Sequence, residues 1–89
     1  MPERAGHAAA VRPGTPLAVG ALTLLPVERV VRYSDRADAR LWFLAEKQPY
    51  ALIVRDASGV RAFGADGAAV SLQILLDEVP ELGTVLAAL

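Results

Sequence analysis

The chain has 89 residues, no cysteine and one histidine, and its 9 basic and 10 acidic side chains leave a net charge of −1. That length allows one domain, and the missing thiols exclude disulfides, thiolate metal sites and a cysteine nucleophile. Near-neutral charge removes the basic excess that nucleic-acid binders usually carry, while a hydrophobic fraction of 54% is high for a small domain, which has much surface and little interior.

Residues Met1 to Pro16 contain Pro2, Gly6, Pro13, Gly14 and Pro16 without apolar periodicity and read as a flexible arm, with His7 in it. Residues 17–89 read as a single α+β domain. The opening residues lack a basic stretch followed by an apolar core, and no run is long enough to span a bilayer, so the expectation is a cytoplasmic protein.

Leu17 to Val19 reads as a short strand ending at Gly20. Ala21 to Tyr33 reads as a longer one, in which Pro26 marks an edge or a bulge because it has no N–H to donate. Ser34 to Ala39 is polar and turn-like. Arg40 to Gln48 supports two readings. As a helix, it is capped by Ser34 and stopped by Pro49; as a strand, its aromatic residues run into the apolar segment that follows, and strand is the reading adopted. Tyr50 to Arg55 is a continuous apolar run, as expected of a central strand covered on both faces or lying against an interface. Ala57-Ser58-Gly59 turns into Val60 to Phe63, Asp66-Gly67 forms a second turn, and Ala68 to Val70 reads as a last short strand.

Leu72, Leu75, Leu76 and Val79 recur at helical spacing, as do Leu82, Val85, Leu86 and Leu89. Ser71 suits the N-cap of the first helix. Pro80 suits the first turn of the second, so two short helices with a break near Val79 are expected. The fold class is therefore α+β: an antiparallel meander of four to five strands packed against two short C-terminal helices.

Catalysis finds little support. Ser34, Ser58 and Ser71 have only His7 as a possible base, and each has a simpler role in a turn or cap. The carboxylate pairs Asp35/Asp38 and Asp77/Glu78 fall in turns or at helix ends, where water keeps their pKa ordinary. Neither phosphate-binding glycine pattern occurs. The expectation is a non-enzymatic protein with no cofactor and no metal.

Two sets of residues remain as binding candidates. Trp42 and Phe43 are adjacent, so a strand sends them to opposite faces; one of the rings then lies in a subunit interface, or under the N-terminal arm or a folded-over loop. With Tyr50 and the distal stripe Leu82, Val85, Leu86 and Leu89, they are the candidate contact surface for another copy of the chain or another protein. The alternative is a nucleic-acid module using Arg29, Arg32, Arg36 and Arg40, opposed by the interleaved Glu28, Asp35 and Asp38. A small-ligand carrier with a pocket between sheet and helices is a further alternative.

The segment Val19-Gly20-Ala21-Leu22-Thr23-Leu24-Leu25-Pro26-Val27-Glu28-Arg29-Val30 resembles the opening of the GerW/YtfJ-type sporulation family: V-G-x-x-T, two apolar residues, then P-V-x-R-V. Pro49 to Phe63 is similar to that family's following strand pair, although Asp35 to Pro49 lacks the family's glycine-rich stretch. The resemblance implies a role in sporulation or germination and no defined activity. Leu25 to Val31 and Val70 to Val79 also look like the opening strand and the helix of a LytTR-type DNA-binding domain. The basic strands that follow that helix in the family have no counterpart here, so no DNA contact carries over.

Overall fold

The computed structural model describes the backbone of residues 6–37 and 40–89 and the side chains of residues 9–33 and 45–89. Strands β1 (Gly6–Pro13), β2 (Leu17–Val19), β3 (Leu22–Ala37), β4 (Arg40–Asp56), β5 (Gly59–Gly64) and β6 (Ala69–Val70) precede helices α1 (Leu72–Glu78) and α2 (Glu81–Ala88). The strands form one antiparallel sheet in the order β1-β3-β4-β5-β6, with β2 beside β3. This is the expected α+β arrangement, with one strand more at its N-terminal side.

That extra strand is β1. The proline- and glycine-rich opening reads as a free arm, yet Gly6 to Pro13 pairs with Val27 to Ser34. The ladder satisfies its backbone groups whatever the side chains are, so weak strand propensity does not prevent pairing. β1 and β2 lie on the same side of β3 and leave a gap, bridged by the Gly14 N–H donating to the Pro26 carbonyl at 2.7 Å. In an antiparallel strand a residue's N and C=O point the same way. The donor that Pro26 lacks is therefore missing only in this gap, which is how a proline sits in the middle of a long central strand. A Cβ on Gly14 would lie 2.9 Å from Glu28 Oε1, so a larger residue at this crossing would have to displace the end of the Glu28 side chain.

β3 and β4 pair over nearly their whole length, and Arg40 to Gln48 is strand, as its aromatic content suggested. The polar Ser34 to Ala37, expected as turn, extends β3 because it faces β4 in the same ladder. The register shifts once: Val27 pairs with Ala51, but Glu28 pairs with Pro49, leaving Tyr50 as the extra residue of a bulge. A bulge turns two successive side chains toward one face. Accordingly, Ala51 is in the core and Tyr50 packs against it.

Both helices cover one face of the sheet. Leu25, Val27, Ala51, Ile53 and Ala62 from the sheet meet Leu75, Val79 and Leu82 from the helices. Ser71 caps α1, its side chain accepting a hydrogen bond from the Ile74 N–H at 3.3 Å. The helical path breaks at Val79 and Pro80, where proline has no N–H to continue α1, and α2 folds back over β1. Gly59 follows the β4–β5 turn at φ +135, a conformation that residues with a side chain rarely adopt.

Candidate interaction surface

Strand alternation divides the sheet's side chains into two sets. Leu25, Val27, Ile53 and Ala62 point to the helices. Their neighbours Leu24, Pro26, Leu52, Val54 and Phe63 point the other way, and the pairings Leu17↔Leu24 and Val19↔Leu22 add three more apolar side chains to that second face. Among the described residues no helix lies over it. Leu17 is 57% exposed, Val19 50% and Leu22 38%, while Leu24, Pro26, Leu52, Val54 and Phe63 are half-buried by one another.

This open region is bounded by charge. At one corner Arg61 donates to the Asp56 carboxylate in an ion pair. At another, Lys47 lies 3.9 Å from Glu28. Asp56 also accepts from the Ser58 N–H at 2.8 Å; that bond, with help from the Ser58 hydroxyl, holds its carboxyl below the usual carboxylate range. Beyond the bulge the open face ends, and Val30 and Val31, adjacent on β3, are both buried.

Two hollows flank the sheet. One, of about 620 Å³, lies at the edge of the open face and is lined by Pro26, Pro49, Leu52 and Phe63, with Glu28 and Lys47 at its rim. The other, of about 450 Å³, lies between the sheet and α1, lined by Ala51, Val70, Ile74 and Leu75, with Tyr50 and Glu78 at its mouth. There the Tyr50 hydroxyl donates to the Glu78 carboxylate. This bond, burial and the negative charge of Glu78 raise the tyrosine pKa, opposed by nearby Arg29. Among the described residues no group of histidines and carboxylates is arranged to hold a metal ion, and no helix is long and apolar enough to cross a membrane.

The residues singled out from the sequence do not form one patch. Leu82 is 0% exposed and lies in the core, with Val85 and Leu86 packed against it. The distal stripe is thus the lid on the sheet's inner face and not a free surface: α2 folds back because Pro80 breaks the helix. Leu89 is half-buried, its carbonyl accepting from Arg55 at 3.1 Å. Tyr50 is half-buried and engaged with Glu78. The side chains of Trp42 and Phe43 lie outside the described residues, although both positions are on β4. Arg29 and Arg32 are exposed but three apart on one strand, so they occupy opposite faces; the side chains of Arg36 and Arg40 lie outside the described residues. What sequence reasoning missed is the apolar set Leu17, Val19, Leu22, Leu24, Leu52, Val54 and Phe63. Its signal was present: continuous apolar strands need cover on two faces, and two short helices supply only one.

Comparison of the chain with protein-family models, with curated proteins and with solved structures finds no match.

Proposed function

We propose that the protein works by protein–protein contact without catalysis, and that its first partner is a second copy of itself. One observation carries this reading: a continuous apolar sheet face with no helix over it among the described residues, and charges only at its corners. Exposed aliphatic surface of this kind favours burial against another apolar surface. Its charges lie at the margin and are paired, Arg61 with Asp56 and Lys47 with Glu28, so its apolar centre meets its own copy with little like-charge repulsion and little charge to desolvate. Two such faces stack about 10 Å apart, as sheets do in sandwich folds.

Substitution at the rim of the face tests the reading. Leu17→Asp places a charge on a side chain already exposed in the single chain, so the monomer keeps its fold. Size-exclusion chromatography with light scattering is expected to show a larger mass for the wild type than for the variant at equal concentration. Equal masses would refute a role for this face. A fluorescence titration with short DNA and RNA at low salt is expected to show no saturable binding, because Arg29 and Arg32 diverge; binding that weakens steeply with salt would favour the nucleic-acid alternative instead.

A further inference from the structure

We propose that a second copy of the chain also adds to the sheet along the unpaired edge of β4, antiparallel and centred on Phe43. The proposal rests on the self-association reading above, but it uses the edge of the sheet and not its face, so the two can fail separately. β5 pairs only with Ala51 to Asp56. From Tyr50 back to Arg40, β4 therefore has β3 on one side and, among the described residues, no strand on the other. Ala45 to Pro49 are all exposed. Such an edge presents a row of backbone donors and acceptors ready to template another strand. Pro49, lacking an N–H, closes the row at its base and leaves Arg40 to Gln48 open.

The sequence along this edge selects the occupant. Two identical antiparallel strands are related by a two-fold axis, so the residue at the centre sets the whole register. Centred on Phe43, Arg40 stands opposite Glu46 of the second copy, and Glu46 opposite its Arg40. Leu41 then meets Ala45, Trp42 meets Leu44 and Phe43 meets itself. Opposite charges and apolar pairs fall across from one another throughout. A centre halfway between two residues would oppose residues whose N–H groups point in opposite directions, so it forms no regular ladder. Centring on Leu44 sets Glu46 against Trp42 and Lys47 against Leu41. No other register pairs Arg40 with Glu46. Lys47 already has an acidic neighbour in its own chain, Glu28 at 3.9 Å, so this register leaves it where it is.

The absence of cysteine makes a direct test available. Directly opposed residues of an antiparallel pair have Cα atoms about 4.5–5.5 Å apart, within the roughly 4.4–6.8 Å span that a disulfide bridges. Phe43→Cys is therefore expected to yield a covalent dimer under mild oxidation, read on a non-reducing gel. Ala45→Cys, whose two copies would lie about 13 Å apart at 3.3 Å per residue, is expected to yield only a trace. On the otherwise wild-type chain, Arg40→Glu or Glu46→Arg alone is expected to weaken association about tenfold, and the double reversal to restore it. Retention of the far-ultraviolet dichroism spectrum shows that each variant is folded. Equal cross-linking at positions 43 and 45, or charge reversals without effect on a wild-type chain that does associate, overturns the edge proposal and leaves self-association standing. A wild-type chain that neither associates nor cross-links through position 43 overturns both.

Discussion

The Tyr50 hydroxyl donates a hydrogen bond to the Glu78 carboxylate, joining the bulge of β4 to the last turn of α1. Without the bulge, Tyr50 would turn from the helix face and Ala51 alone would point to it. Tyr50→Phe keeps the ring's packing and removes only the donor. The expected cost is about 1 kcal/mol, measured by urea unfolding. The bond exists only while the phenol is protonated, and it raises the folded-state pKa above the unfolded value of about 10. Between those two values the folded chain binds more protons than the unfolded one, so stability falls as pH rises. The wild-type advantage over Tyr50→Phe is expected to be full below pH 10 and to vanish above the raised pKa. An advantage unchanged through that range would show that the bond does not form.

Leu82 and Ile74 test the assignment of the helical stripes. Leu82 is 0% exposed among Leu25, Val27 and Ile53, whereas Ile74 is 60% exposed on α1. Leu82→Ala is expected to destabilise by about 2–5 kcal/mol. Ile74→Ala is expected to change stability by no more than about 0.5 kcal/mol. Denaturant midpoints of the two variants check this, and a reversed order would mean that α2 does not close on the sheet as described.

Ser71 supplies the side-chain cap of α1, whose first turn contains no acidic residue. Ser71→Ala is expected to cost about 1 kcal/mol, and Ser71→Asp to keep the cap. Thermal melts of the pair decide whether the serine side chain or its backbone geometry matters.

Much of this architecture is legible in the residues. The periodicity of Leu72 to Leu89, the cap at Ser71 and the break at Pro80 describe both helices. The apolar run at Tyr50 to Arg55 and the turn at Ala57 to Gly59 likewise describe the central hairpin. β1 is not legible, because alanine, proline and glycine carry little strand preference and only the ladder against β3 orders them. The bulge at Tyr50 has no local signature either; it is a property of the β3–β4 register, set by residues more than 20 positions apart. The contact surface is half legible. The excess of apolar residues is plain in the composition, but the Leu82 stripe and the Leu17–Leu22 hairpin look alike as strings of leucine and valine. Only the direction in which α2 turns shows which of the two is already covered.

The open face and the β4 edge that no strand covers among the described residues meet in one consequence of the proposal: the chain should not remain single as its concentration rises. Sedimentation equilibrium of the wild-type protein from micromolar to millimolar concentration measures this directly. The account predicts a mass that climbs from near 9.4 kDa to a whole multiple of it; a mass that stays at one chain throughout would contradict it.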